Sequence, residues 1–322
     1  MLPLIFYDKR LAYHPTFMEG CEFRCRFTSN LTQLNRSQLV VFTSNPSPDE
    51  RLYAGDIPWA FESAEPLHRM PWLSEEVKKR FSMFITYHPY ASIPYYYGVY
   101  RAFLNPECVM SEAQRKRLRA QNSLHLLPVH HFRKTKKVAW AVSDNEPFNN
   151  RTVLGNAIAK NIEVDKYGRK AKYCPLAGLC FEHLSRNYKF YLSFENANCE
   201  GYITEKFFVN ALGYGMVPIV YGASREEFYA RAPPNSYIHV DEFKTVADLA
   251  KYLNYLDKND TAYASYFAWK EHGEVLTWLR VDCRVCGVLH HVLSGRLKLY
   301  DGTFRSYLDA SRTCTNTSKI QF

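Results

Sequence analysis

The sequence lacks any apolar run approaching the ~20 residues that cross a bilayer. Its N-terminal stretch, 1–7, holds only about six apolar residues, short even of the roughly 7–15 of a secretory hydrophobic region. It has no fixed-period repeat and no low-complexity tract, which sets aside solenoids and long disordered tails. Neither GxGxxG nor GxxxxGK[ST] occurs, so a dinucleotide fingerprint and a Walker-type phosphate loop are both unsupported. A second CxxC at zinc-site spacing is also absent. Cys283-Arg-Val-Cys286 therefore reads as disulfide chemistry before half a zinc site or a redox motif, although His290 and His291 follow closely.

What the chain does have is material for burial. Its 322 residues are 47% hydrophobic and 16% aromatic, more than one core usually serves, and two domains of roughly 150 residues are expected. The net charge is +9, with basic clusters at Arg115-Lys116-Arg117-Leu118-Arg119 and Arg133-Lys134-Thr135-Lys136-Lys137. Neither cluster lies in a groove-reading or base-stacking motif, so no nucleic-acid partner is expected. Solvated faces and a general pull on an anionic substrate account for them.

Nine cysteines, with Cys21/Cys25, Cys174/Cys180 and Cys283/Cys286 as close pairs, suit an oxidising compartment; the odd count leaves at least one unpaired, and spacing does not fix the pairing. Five sequons, at Asn30, Asn35, Asn150, Asn259 and Asn316, fit the same lumenal setting. Lumenal entry needs a targeting segment, which is expected to lie outside this sequence.

Short apolar runs at 40–42, 59–62 and 81–87, with a helical piece at 75–80, read as an α/β first half. A charged helix at 111–122 leads to a strand at 137–143, and the boundary is placed near 136. Thereafter helix and strand alternate: helix 151–161, strand 188–195, helix 204–212, strand 217–221 and helix 246–256, the last with Thr245 and Asp248 spaced as a capping box. Such alternation means a doubly wound sheet with its ligand at the strand carboxyl ends.

Residues 188–222 parse as strand, polar loop, capped helix, glycine stop and strand. Thr204 is the expected N-cap and Gly215 the left-handed stop. The helix start would offer free N–H groups and a positive dipole end to an anion, and Lys206 adds a full cation there. A phosphate partner is the inference; a solvated helix start with ordinary turn asparagines is the plainer alternative.

Phe194-Glu195-Asn196, Tyr202-Ile203-Thr204-Glu205-Lys206, Asn210-Ala211-Leu212 and Val217-Pro218-Ile219-Val220, in that order, resemble the donor-binding signature of the α1,3/α1,4-fucosyltransferase family. The similarity runs from about Val40 to Val292. The resemblance implies an α/β fold of the GT-B kind, two Rossmann-like domains facing across a cleft. That assigns 1–136 to the acceptor, 137–295 to GDP-fucose, and 296–322 to a tail. By resemblance, Arg151 and Lys206 contact the diphosphate, Glu205 meets fucose or ribose hydroxyls, and Asn196 and Tyr202 complete the donor pocket. Two cations can stabilise departing GDP, so no metal is expected to be required, Mn²⁺ being at most a non-essential stimulant.

Inverting transfer needs a base on the acceptor side. Phe61-Glu62-Ser63 resembles the family's Phe-Glu-Ser, which makes Glu62 the expected base and Glu65 the fallback. The aromatic run Tyr87-His88-Pro89-Tyr90 and Tyr95-Tyr96-Tyr97 would either stack on acceptor sugars or pack in a core. Two positions depart from the family pattern: Gly201 replaces the usual aspartate before Tyr202, and Ala197 the usual serine after Asn196.

The implied activity is transfer of fucose from GDP-fucose to O3 of GlcNAc on a glycan or glycoprotein, in the Golgi lumen, as the lumenal part of a type II membrane protein whose anchor is absent from this sequence. The competing readings are a GT-B transferase with another nucleotide sugar and a catalytically silent, lectin-like glycan binder.

Overall fold

Apolar runs too short for helices and buried on both faces become parallel strands. In the computed structural model, which describes residues 2–8, 18–106, 109–144, 146–175, 179–277, 279–299, 309–315 and 318–321, they build two separate α/β units.

The first unit comprises residues 1–96 and 279–313. Its sheet is formed by β1 (Leu4–Tyr7), β2 (Arg26–Thr28), β3 (Leu39–Phe42), β4 (Trp59–Ser63), β5 (Phe81–Thr86) and β6 (Ile93–Pro94). The strands lie in the order β2-β1-β3-β4-β5-β6, every pair parallel. Side chains alternate between faces. Ile5, Tyr7, Val41, Ala60 and Ile85 pack with Val285 and Leu289 of the helix Val281–Leu293. On the other face Phe6, Val40, Phe42 and Phe61 meet Leu34 and Val77. The helix Val281–Leu293 is tied here by two disulfides, Cys21–Cys283 and Cys25–Cys286, with sequence separations of 262 and 261.

The second unit comprises residues 97–278 and 314–322. Its strands are β7 (Val99–Ala102), β8 (Lys136–Ala141), β9 (Val164–Tyr167), β10 (Tyr188–Phe194), β11 (Asn198–Cys199), β12 (Val217–Tyr221), β13 (Ile238–His239), β14 (Gly273–Leu276) and β15 (Cys314–Thr315). Five of them make a parallel sheet in the order β13-β12-β10-β8-β9. β7 pairs with β14 and β11 with β15, both antiparallel, the latter closed by Cys199–Cys314. Within each large sheet the second strand flanks the first on one side and the third on the other. That reversal of winding creates a topological switch point, where strand carboxyl ends leave a crevice.

The expected α/β class is thus present as two Rossmann-like units, but the units do not coincide with 1–136, 137–295 and 296–322. Leu118, on the helix Glu112–Ala120, packs with Phe207, Phe208 and Ala268 of the second unit, which moves the break back to 96/97. The paired disulfides return 279–313 to the first. The cysteine candidates are all bonded, with Cys174–Cys180 as a local pair. Cys21, Cys25, Cys283 and Cys286 instead cross-link two distant segments, so the CxxC holds no free thiolate for zinc. Cys199 and Cys314 were not among the candidates. Among the described residues no helix is long and apolar enough to cross a membrane.

Candidate functional site

At the second unit's switch point, the loops that leave β8 and β10 are stitched together by asparagines. Asn149 donates from Nδ2 to Glu195 O at 3.0 Å and to Asn198 Oδ1 at 2.6 Å, while its Oδ1 accepts from Arg151 N at 3.2 Å. Phe148 N donates to Asn196 O at 2.8 Å.

Arg151 opens the helix Arg151–Ala159 and is only 2% exposed. Its Nη1 donates to Phe194 O at 3.1 Å and its Nη2 to Asp144 O at 2.8 Å, with Asp144 Oδ2 at 3.6 Å. Its buried Nε has no acceptor among the described residues. Burial lowers this guanidinium, against the pull of Asp144, Glu195 and Tyr202. Asn196 is 9% exposed, and its Oδ1 likewise lacks a partner among the described residues. Tyr202 is buried beside the same charges.

The helix start differs from the expected one. Residues Lys206–Gly213 wind as a π-helix, entered through a tighter shared bond in which Thr204 O accepts from both Phe207 N at 3.2 Å and Phe208 N at 3.3 Å. Such widened turns concentrate at functional sites. Thr204 N, expected to be free for a ligand, donates instead to Glu195 Oε1 at 2.8 Å, and Thr204 Oγ1 binds the same carboxylate at 2.8 and 2.9 Å. Glu195, 1% exposed, is therefore an internal anion closing the helix start. Gly215 ends the helix at φ +72°, the left-handed conformation expected of it.

Lys206 Nζ lies 3.1 Å from Glu195 Oε2, 3.0 Å from Thr204 Oγ1 and 3.1 Å from Glu205 Oε1. Burial would lower this ammonium, but Glu195 and Glu205 outweigh it and hold it above its ordinary value. Burial pushes Glu195 up, with Lys206 pulling the other way. Glu205 is half-buried, its side chain 43% exposed against 1% for Glu195, so it is the partner that an incoming anion would displace at less cost. Arg151, Tyr202, Glu205 and Lys206 thus share one charged cluster with Glu195, whose individual part in it the sequence did not reveal. The signal was present: a carboxylate just past a mainly apolar strand demands a partner once buried.

Gly222 makes room for that carboxylate. Its φ is +156°, and a Cβ there would sit 2.8 Å from Glu195 Cγ and 2.9 Å from Glu195 Cβ. Gly222→Ala is expected to displace Glu195 from Thr204 and Lys206 and to destabilise the protein by roughly 1–2 kcal/mol, the usual loss for a disturbed buried hydrogen-bonded charge. Chemical denaturation reads this; unchanged stability would mean that Glu195 does not need the space left by Gly222. Gly201, at φ +76°, donates its N–H to the Glu227 carboxylate and accepts at its carbonyl from Arg231 Nη1 at 2.6 Å. Ala197 is buried.

In the first unit Glu62 lies within β4, 3% exposed, which rules out a surface glutamate at a strand end. The buried Tyr7 phenol neighbours it; burial and the Glu62 charge raise that phenol well above its ordinary value, with Asp282 and Tyr95 adding to the effect. Glu65 is exposed. Of the aromatic run, Tyr87 and His88 are buried, Tyr90 is exposed, and Tyr95 is half-buried in the first unit's core. His131 is buried with its ring on Asp260 at 2.7 Å. Among the sequon asparagines Asn30, Asn35 and Asn150 are exposed and Asn259 half-buried, its Oδ1 capping a helix through Ala262 N at 3.0 Å; Asn316 lies outside the described residues.

The family model described as "Glycosyltransferase family 10 (fucosyltransferase) C-term" matches residues 131–299, just over half of the chain. Glycoprotein 3-alpha-L-fucosyltransferase A of Drosophila melanogaster is 51% identical over 164 residues, covering 49% of this chain and 32% of that protein. Human 4-galactosyl-N-acetylglucosaminide 3-alpha-L-fucosyltransferase FUT5 is 43% identical over 161 residues, covering 49% of this chain and 42% of that one. The chain thus spans a third to under half of the length of these relatives. A crystal structure of an alpha1,3-fucosyltransferase superposes with a TM-score of 0.60 at 16% identity, covering 94% of this chain and 93% of that one. A crystal structure of an alpha1,3-fucosyltransferase with GDP-fucose gives 0.58, also at 16% identity, with the same two coverages. At that identity the likeness speaks to fold, which is the GT-B class expected from the sequence.

Proposed function

Since the chain belongs to glycosyltransferase family 10, the fucosyltransferases, we propose that it is an inverting α1,3-fucosyltransferase that moves fucose from GDP-fucose to O3 of GlcNAc on N-glycans or related glycoconjugates. The observation that carries the reading is the convergence of buried Arg151 and half-buried Lys206 on the end of β10, at Phe194 and Glu195. Two cations there match a diphosphate that gains charge as it leaves.

In this reaction the acceptor O3 attacks C1 of fucose while the bond from C1 to the phosphate oxygen breaks, and GDP departs with the electron pair. Glu62 takes the O3 proton as general base. Arg151 and Lys206 hold the diphosphate, Glu205 turns from Lys206 to fucose or ribose hydroxyls, and Asn196 and Tyr202 complete the donor pocket. The unsatisfied Asn196 Oδ1 and Arg151 Nε are atoms that a donor would satisfy. Four disulfides and the sequons support a Golgi-lumenal setting.

The purified chain, incubated with GDP-fucose and a glycan array, is expected to add one deoxyhexose to GlcNAc-bearing glycans, with the linkage at O3 by mass spectrometry. Adding a chelator should leave the rate within about twofold, because the two side-chain cations supply the charge stabilisation. Loss of activity with recovery on Mn²⁺ would overturn the metal-independent mechanism. Transfer only from another nucleotide sugar, or glycan binding without transfer, would overturn the reaction itself.

A further inference from the structure

The second unit holds a cavity of about 780 Å³ to which none of the donor-site residues contributes. The helix Glu112–Ala120 supplies Glu112, Arg115 and Arg119; the helix Arg225–Arg231 supplies Arg225, Glu226 and Tyr229. Asn235, Tyr237 and Glu242 come from the segments flanking the edge strand β13, and Tyr252 and Tyr266 complete the wall. The basic cluster at 115–119 is accordingly not a plain solvated face: Arg115 is 4% exposed.

The walls are held by contacts among their own residues. Arg115 Nη2 donates to Tyr229 O at 2.7 Å, its Nε donates to Met110 O at 3.2 Å, and its guanidinium lies 3.7 Å from the Tyr229 ring centroid. Arg119 pairs with Glu112 at 3.2 Å and donates to Asn235 Oδ1 at 3.2 Å. The Tyr252 and Tyr266 hydroxyls are 2.7 Å apart. Preorganisation of this kind lowers the entropic cost of binding.

The lining selects by chemistry. No aliphatic side chain is among the lining residues, so a hydrocarbon ligand would find no apolar surface to match. Three arginines are balanced by three glutamates, so a polyanion finds no excess of positive charge and a cation no excess of negative. Four tyrosines stand among the lining residues, with the Arg115 guanidinium over the ring of Tyr229. The planar guanidinium, carboxylate and amide groups offer donors and acceptors in fixed directions. A neutral polyhydroxylated ring compound uses all of these at once: its C–H faces meet the tyrosines, and its hydroxyls both give and receive hydrogen bonds.

We propose that this cavity is a second, non-catalytic carbohydrate site that holds a neutral oligosaccharide arm of the acceptor glycan, an assignment that rests on the fucosyl-transfer reading for the identity of its glycan. Holding a remote arm raises the effective concentration of the reacting GlcNAc.

Arg225 and Glu242 are exposed, which makes R225A/E242A the suitable variant; its melting temperature should match the parent's. Titration with a neutral biantennary N-glycan in the absence of donor is expected to show about tenfold weaker binding to the variant, two wall contacts being worth roughly 1.4 kcal/mol together. With GDP-fucose present, KM for that glycan should rise by a similar factor while kcat, and turnover of a simple GlcNAc glycoside, stay unchanged. Equal glycan affinity in both proteins, no glycan binding by the parent, or competition between GDP and glycan that the substitutions abolish would each overturn the proposal. Absence of transfer by both proteins, with glycan binding still weakened in the variant, would refute the fucosyltransferase reading and leave the site standing.

Discussion

Lys206→Ala is expected to reduce kcat/KM for GDP-fucose by about 10²–10³-fold, the usual consequence of removing one preorganised charge from a leaving-group site. It should also destabilise the protein. The Glu195 carboxylate, 1% exposed and 3.1 Å from the ammonium, would be left buried without its cation, at a cost of roughly 3 kcal/mol. These two effects separate in the double variant Lys206→Ala/Glu195→Gln. A neutral amide still bonds Thr204, so stability should recover by most of that amount while turnover does not. Chemical denaturation and initial rates on the same preparations provide the comparison. Activity returning with stability would show Lys206 to be a structural cation and nothing more.

Glu62→Gln is expected to lower kcat by about 10²–10⁴-fold with GDP-fucose affinity unchanged, the range typical of a lost general base. The substitution keeps the side chain's shape, so the sheet around β4 keeps its packing. Because Tyr7 is held well above its ordinary value by burial and by the Glu62 charge, it stays a neutral donor throughout the neutral pH range and does not replace Glu62 as a base. Equilibrium titration of GDP-fucose should give one affinity for parent and variant, while rapid-quench transfer to a GlcNAc acceptor shows the loss. Full turnover by Glu62→Gln would move the base to Glu65, exposed two residues beyond the strand end.

Much of the second sheet was legible because its strands and helices are specified locally. Apolar runs at 188–194 and 217–221 are buried along their whole length. Helix Val246–Asp257 starts at Thr245, whose Oγ1 accepts from Asp248 N at 3.1 Å, as its spacing predicts. The first strand escaped notice: Leu4–Tyr7 is four apolar residues at the chain start, and nothing local distinguishes them from a frayed end. It becomes the centre of a switch point only through pairing with both β2 and β3.

The segment 188–222, by itself, determined the strand–loop–helix–strand frame, its cation and its family, since side-chain order and short-range capping are written in consecutive residues. Tertiary structure alone decided that Glu195 rather than a ligand closes the helix start, that the helix winds as a π-helix, and that Asn149 joins the loop after β8 to the loop after β10. It also decided that Cys21 and Cys25 bond to Cys283 and Cys286 and carry the helix Val281–Leu293 back to the first unit. Each of these rests on partners brought together by packing. Burial removes water as the competing partner, so a carboxylate, a thiol or a backbone N–H takes whichever group the fold places beside it, and local spacing carries no record of that choice.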